Sequence, residues 1–258
     1  MKIADLMDKK HPTVTPNVSA AYARTIFRRF GVRVLPVVSH EKLVGILSRI
    51  NIMNITATRS DLMVSDIIEE PLITLYFHED LFEATRKLLK VDEWYAPVVD
   101  NQRFYLGIYG LEHFIEHMIN QDHPANNQRV ERFMTRELEV VYAGDPISKV
   151  WRKMLTFRYA GFPVVTTKNR LVGIITQIDL LKHGFTRLHL ESESAPRRGP
   201  KVQDIMSTPP ITISLKATIK EAAEIMIDRN IGRLLVIDNK KLVGIIDRDD
   251  VARAYLMF

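Results

Sequence analysis

Leu171-Val172-Gly173-Ile174-Ile175 is one of four copies, two of them varied, of a single phrase along this chain of 258 residues. The other copies are Leu43-Val44-Gly45-Ile46-Leu47, Tyr105-Leu106-Gly107-Ile108-Tyr109 and Leu242-Val243-Gly244-Ile245-Ile246. Each follows a second apolar run: Leu35-Pro36-Val37-Val38, Ala96-Pro97-Val98-Val99, Phe162-Pro163-Val164-Val165 and Leu234-Leu235-Val236-Ile237. Helical stretches flank every copy. A fixed period of roughly 60 residues means one supersecondary unit copied, so the chain reads as four small βαββα modules of α/β (α+β) class.

The modules open on similar phrases: Ile3-Ala4-Asp5-Leu6-Met7, Val64-Ser65-Asp66-Ile67-Ile68, Val130-Glu131-Arg132-Phe133-Met134 and Val202-Gln203-Asp204-Ile205-Met206. A short strand follows each, around Thr13-Val14, Ile73-Thr74-Leu75, Glu139-Val140-Val141 and Ile211-Thr212-Ile213. The units are bounded at 1–58, 59–120, 128–187 and 200–258. The polar stretches 120–128 and 191–200 read as linkers. The first helix of a unit carries one apolar face, Ile147, Val150, Trp151 and Met154 in the third and Ile219, Ala222, Ala223 and Met226 in the fourth; the i, i+3, i+4, i+7 spacing marks it as core-facing. The strands are rich in Val and Ile without clean alternation, which suits a sheet covered by helices. A glycine inside each second strand marks a bulge or a close backbone approach, by chain or by ligand. One unit is too small to bury a good core alone. Packing the first unit against the second and the third against the fourth, sheet to sheet, solves this.

Hydrophobic residues make up 46% and charged residues 26%, ordinary for a globular protein. No apolar run approaches the roughly 20 residues of a membrane helix. The N-terminal Met1-Lys2-Ile3-Ala4-Asp5 lacks the apolar stretch of a secretory signal, so the expected location is the cytoplasm. There is no cysteine, which excludes disulfides and thiolate metal sites. A net charge of +5 with a pI near 9.3 favours phosphate-bearing partners.

The ordered set of opening Asp-Ile-Met phrase, short strand, helix, Pro-Val-Val strand, Leu-Val-Gly-Ile-Ile strand and closing helix resembles CBS domains over nearly the whole chain. The resemblance implies two pseudo-twofold pairs (Bateman modules) with adenosine ligands bound in the clefts between copies. A four-copy chain of this kind is similar to the nucleotide-sensing gamma subunit of AMP-activated kinases. The family's ligand signature is a Ser or Thr after the Gly-Ile-Ile strand with an Asp three residues on. The third unit carries it in full as Thr176-Gln177-Ile178-Asp179. A helix N-terminus favours phosphate, and a carboxylate one turn in can accept from both hydroxyls of a ribose. On spacing alone the same residues form a capping box; the four-copy context points to ribose binding by Asp179.

The other copies depart. The fourth reads Asp247-Arg248-Asp249-Asp250, where Asp250 keeps the ribose position and Asp247 replaces the hydroxyl, favouring a less anionic ligand or a cation. The first reads Ser48-Arg49-Ile50-Asn51 and the second Gly110-Leu111-Glu112-His113. Ligand is therefore expected chiefly between the third and fourth units, with the first pair structural or partner-binding. By resemblance, Arg233 points at phosphates, and its geometry suits them; Ala160 and Gly161, at the matching place in the third unit, are small enough for an adenine ring to approach. His113-Phe114-Ile115-Glu116-His117 fits the inverted zinc-peptidase spacing, yet without a third ligand it reads as a solvated helix face. Arg24, Arg28, Arg29 and Arg33 form a basic run on and beyond the first helix, which reads as a solvated face or as a surface for an acidic partner or nucleic acid.

No nucleophile–base pair, catalytic carboxylate pair or phosphate loop is present, so no enzyme activity, metal or cofactor is expected. The expected function is regulatory: sensing of an adenosine-containing ligand of the AMP, ADP, ATP or S-adenosylmethionine type, relayed by conformational change to a regulated protein partner. The alternative is an interaction module with degenerate clefts, holding nucleic acid on its basic faces. No membrane contact is expected. Either the two pairs close on one another within the chain or two chains dimerise.

Overall fold

The computed structural model describes residues 1–55, 62–183 and 200–258. Each unit repeats one order. The first has α1 (Ala20–Phe30), β1 (Val34–Ser39), β2 (Lys42–Ser48) and α2 (Arg49–Met53). The second has β3 (Leu75–Tyr76), α3 (Leu81–Lys90), β4 (Tyr95–Val99), β5 (Tyr105–Gly110) and α4 (Leu111–Ile119). The third has β6 (Val141–Tyr142), α5 (Ile147–Phe157), β7 (Gly161–Val165), β8 (Leu171–Thr176) and α6 (Gln177–Lys182). The fourth has β9 (Thr212–Ser214), α7 (Ile219–Asp228), β10 (Arg233–Asp238), β11 (Lys241–Asp247) and α8 (Arg248–Met257). The short first strand lies parallel to the Pro-Val-Val strand, which pairs antiparallel with the Gly-containing strand. In the first unit the short strand shrinks to a single parallel bridge, Val14 with Val37.

Local chemistry sets the helix ends. Ser19 accepts from the Tyr22 N–H at the start of α1, and Gly31, at φ 65°, ends that helix in the left-handed region that glycine enters without strain. Thr218 and Glu221 form a capping box on α7. The apolar faces read from helical spacing in α5 and α7 are buried.

Units join by exchanging their opening segments. Lys2 bridges to Asp80 and Asp8 to Ile108, so the first unit's opening lies on the second; Ser19–Met63 and Ile46–Glu69 return the exchange. Arg129–Thr218 and Thr135–Ile245, with Pro146–Lys201 and Ile174–Ser207, repeat the pattern in the other pair. This explains the four strand glycines. A Cβ on Gly107 would lie 2.7 Å from the Asp8 carbonyl oxygen, on Gly173 2.8 Å from that of Ser207, and on Gly244 3.0 Å from that of Thr135. The close approach expected at these glycines is made by the sister unit's backbone, not by a ligand. The register slips just beyond, for example between Val164 and Val165.

The two pairs close on each other within one chain. One core joins the helices of units one and three, with Phe27, Met53, Val150 and Leu180 at full burial or close to it; the other joins units two and four through Leu88, Phe114, Met226 and Tyr255. The 120–128 stretch is part of this packing rather than a free linker. Ala125 and Asn126 are buried, and Asn126 Oδ1 accepts from the Tyr255 hydroxyl at 2.7 Å. Of the second linker, residues 191–199 lie outside the described residues.

Candidate functional site

Every unit presents the same pair of positions to the centre of the molecule: the first residue of its Pro-Val-Val strand opposite the last of its Gly-containing strand. These pairs are Val34 with Ser48, Tyr95 with Gly110, Gly161 with Thr176, and Arg233 with Asp247. Of these, Val34, Ser48, Tyr95, Gly161, Arg233 and Asp247 line a cavity of about 450 Å³, within the range of small-molecule sites. All four units line it: Arg33 and Arg49 from the first, Glu93, Trp94 and Tyr95 from the second, Glu137, Arg158, Tyr159, Ala160 and Gly161 from the third, and Arg233, Asp247 and Asp249 from the fourth.

The cationic wall is built on one indole. The Arg33 guanidinium stacks 3.8 Å from the Trp94 ring centroid, and Arg233 approaches the same ring at 5.8 Å. Arg233 also donates weakly to the Gly161 carbonyl, at 3.4 Å. Burial and the neighbouring Arg233 pull the Arg33 pKa down to about 9, and burial brings Arg49 to about 10; both are charged at neutral pH. Arg49 is held by carbonyls at the end of α1, donating to Val32 at 2.8 Å and to Gly31. Arg33 has no hydrogen-bond or ion-pair partner among the described residues. At the rim, Arg158 occupies the left-handed region at φ 55°, uncommon for its residue type.

The acidic wall is the mouth of the fourth unit. Asp247, Asp249 and Asp250 bring their carboxylate oxygens within 4.8 Å of one another. Burial raises all three, with Asp249 reaching about 7, helped by its bond to Asp247, and Asp250 about 6. Asp250 Oδ2 accepts from the Asp247 N–H at 3.0 Å. Glu93 is also raised by burial.

The mouth of the third unit is built differently. Asp179 is buried, and its Oδ2 accepts from the Thr176 N–H at 2.8 Å and the Thr176 hydroxyl at 2.6 Å. Its Oδ1 accepts from the Ser207 hydroxyl at 3.0 Å, so the crossing segment of the fourth unit roofs this carboxylate. The first unit copies the cap with a neutral acceptor, Asn51 Oδ1, which takes the Ser48 N–H at 2.7 Å and the Ser48 hydroxyl at 2.6 Å. In the second unit His113 Nδ1 accepts from the Gly110 N–H at 2.9 Å. That nitrogen caps its own helix, which gives the His-x-x-Glu-His spacing a structural use.

The six residues singled out by the sequence therefore do not form one cluster. Arg233, Ala160 and Gly161 line the cavity. Asp250 stands beside Asp247 and Asp249 behind its acidic wall, while Thr176 and Asp179 form the adjoining mouth under Ser207, next to the lining residue Gln177. Arg33 is not part of a solvated basic face but turns inward onto Trp94, and Arg28 donates to the Lys182 carbonyl at 3.1 Å. Arg33, Arg49 and Trp94 were missed as site residues. The signal was present: Arg33 and Trp94 hold the same place as Ala160, one residue before the central strand, and comparing that place across all copies finds them.

Fold and cavity define a protein of four repeats in two exchanged pairs. A family model for the CBS domain matches residues 3–57, 64–120, 130–185 and 202–257, and the chain belongs to that family. It is similar to protein MJ1225 of Methanocaldococcus jannaschii, with 28% identity over 99% of this chain and 98% of the relative. The crystal structure of MJ1225, described as a proposed archaeal homolog of g-AMPK, aligns with a TM-score of 0.85 and 26% identity over 98% of this chain and 99% of that one. Protein MJ1404 of the same organism is 26% identical over 97% of this chain and 61% of its own length. A conserved protein of Pyrococcus horikoshii shares the fold, with a TM-score of 0.68 and 23% identity over 99% of this chain and all of that one. Among the described residues no helix is long and apolar enough to cross a membrane.

Proposed function

We propose that the chain is a regulatory protein that binds an adenosine-containing ligand between its third and fourth units and relays occupancy to a protein partner. The observation that carries this reading is Arg33: a half-buried, charged guanidinium stacked on Trp94 and facing a cavity, with no anion to pair with among the described residues. A charge so placed is costly unless something neutralises it. A phosphate, or the carboxylate of an S-adenosylmethionine type, sits between Arg33 and Arg233. The ring rests on the Ala160–Gly161 wall beside Tyr159. The ribose hydroxyls reach the acidic mouth at Asp249 and Asp250, while Asp179 serves the second, roofed cleft of the same pair. The whole-length likeness to MJ1225 supports the energy-sensing form of this reading.

Arg33 belongs to the first pair and Arg233 to the second, so a bound anion bridges them. The ligand thereby favours the arrangement in which both pairs present their arginines together, and a partner reads that arrangement. Thermal melts with AMP, ADP, ATP, S-adenosylmethionine and their 2′-deoxy forms test the reading. A true ligand at 100 times its Kd adds about 2.7 kcal/mol of stability. The expected result is a ribose-dependent rise in Tm that Arg33→Ala and Asp250→Ala reduce. No shift with any of these at millimolar concentration, with salt-sensitive binding of RNA or DNA instead, establishes the interaction-module alternative.

A further inference from the structure

On the outer face of units two and four, α3 and α8 enclose a shallow groove of about 330 Å³. Each helix supplies a triplet at i, i+3, i+4: Arg86, Leu89 and Lys90 from one, Arg253, Leu256 and Met257 from the other. Residues at that spacing share one helix face. Three cations therefore border a strip of three apolar side chains. Met257 is 61% exposed, a large apolar group left in water. Among the described residues Arg86 pairs with exposed Glu83 alone, at 3.2 Å, and the Lys90 ammonium has no partner.

Arg253 faces two ways. Its Nη2 donates to the Leu89 carbonyl in the groove at 3.4 Å, and its Nε lies 3.9 Å from Asp249 Oδ2, a residue of the central cavity. On units one and three the matching positions carry different side chains. Arg28 stands there in the place of Leu89 and donates to the Lys182 carbonyl across the helix pair, and Ile178 stands in the place of Asp249. Through Arg253 the groove is linked to the acidic mouth.

We infer that this groove docks an acidic amphipathic segment of the regulated partner and that Arg253 couples its occupancy to the ligand cavity. The coupling rests on the sensor reading above; the docking does not. Carboxylates one helical turn apart meet Arg86, Lys90 and Arg253, and a leucine-class side chain between them covers Leu89, Leu256 and Met257. A phosphodiester backbone satisfies the cations but leaves the apolar strip wet, and a flat bilayer does not enter a concave floor. A partner carboxylate that takes Arg253 withdraws it from Asp249 and changes the charge the ligand meets. By linkage, the ligand alters partner affinity to the same extent.

The test is fluorescence anisotropy on the full chain with a labelled helical peptide of about 14 residues, built of Glu, Leu and Ala with Leu on one face. Saturable binding is expected, weakened about tenfold or more in the double variant Arg86→Glu/Lys90→Glu. Both positions are exposed, and an unchanged Tm verifies the fold. A Lys-for-Glu version of the peptide should not bind. Saturating peptide should shift AMP affinity severalfold in the native chain and not in Asp249→Asn. Equal binding by the double variant overturns the proposal, as does RNA or phosphatidylserine-vesicle binding that the double variant abolishes while the peptide fails to bind. AMP binding is measured alone in parallel. Peptide failure with AMP binding intact sinks the docking surface only. AMP failure with peptide binding intact sinks the sensor and the coupling.

Discussion

The mouths of the third and fourth units are the same piece of backbone with opposite electrostatics. In both, a carboxylate at the third helical position accepts the N–H at the end of the Gly-containing strand, Thr176 N to Asp179 at 2.8 Å and Asp247 N to Asp250 at 3.0 Å. At the third mouth a hydroxyl donates to that carboxylate, and Ser207 donates to its other oxygen. A carboxylate has about four acceptor sites, and three are taken here. At the fourth mouth two further carboxylates crowd in, and burial raises all three. One mouth is satisfied and roofed; the other is open to the cavity and electrostatically frustrated. Cap geometry alone thus says little about which helix end holds a ligand, and the charges around the cap decide.

Two substitutions strike this contrast hardest. Gly173→Ala places a Cβ 2.8 Å from the Ser207 carbonyl oxygen and forces the crossing segment off the third mouth. Overpacking against backbone costs about 1–3 kcal/mol, to be read as a lower denaturant midpoint with unchanged slope. Asp247→Thr instead rewrites the fourth mouth as a copy of the third. Removing one negative charge a few ångströms from a bound phosphate should tighten an ATP-type ligand about tenfold, roughly 1.4 kcal/mol. Calorimetric titration reads it, and unchanged affinity would show that the phosphate lies away from Asp247.

Much of this was legible beforehand. Repetition of Leu-Val-Gly-Ile revealed the units, and helical spacing picked out Val150 or Ala223 as core, because both are local patterns. The glycines read as close-approach points, but what approaches is a segment from a neighbouring copy, and no local pattern names it. The site was only half legible for the same reason. Thr176 and Asp179 form a motif within four residues, whereas Arg33, Trp94 and Arg233 become a site only when three units meet. Arg33 lies next to a basic helix, and its neighbours suggested solvent; one indole 61 residues further along turns it inward.

Acidity gives a finer probe of the fourth mouth. Asp249 stands at about 7 when folded, above the ordinary aspartate value of 3.8, so the native state holds protons that the unfolded chain has released. Between these values stability falls as pH rises, and what Asp249 contributes is present in full only below about pH 4. Asp247, Asp250 and Arg253 are the charged groups beside it. Asp249→Asn should therefore raise stability at pH 8 by about 1 kcal/mol, or roughly 2–4 °C in Tm, and by nothing measurable at pH 4. A pH-independent offset would mean that the gain comes from packing.

The smallest effect separates cap from ligand site at the third mouth. Ser207→Ala removes one donor to Asp179, held at 3.0 Å. A hydrogen bond to a charged acceptor that water can partly replace should cost about 0.5–1.5 kcal/mol in the free protein. The same change returns an acceptor position to the carboxylate. If Asp179 grips a ribose, its two hydroxyls compete with Ser207 for that position, and Ala should tighten the second equivalent of ligand severalfold while the free protein melts lower. If Asp179 is only a cap, stability falls and no titration changes. Opposite signs in the melt and the titration can arise only where the roof and the ligand share one carboxylate.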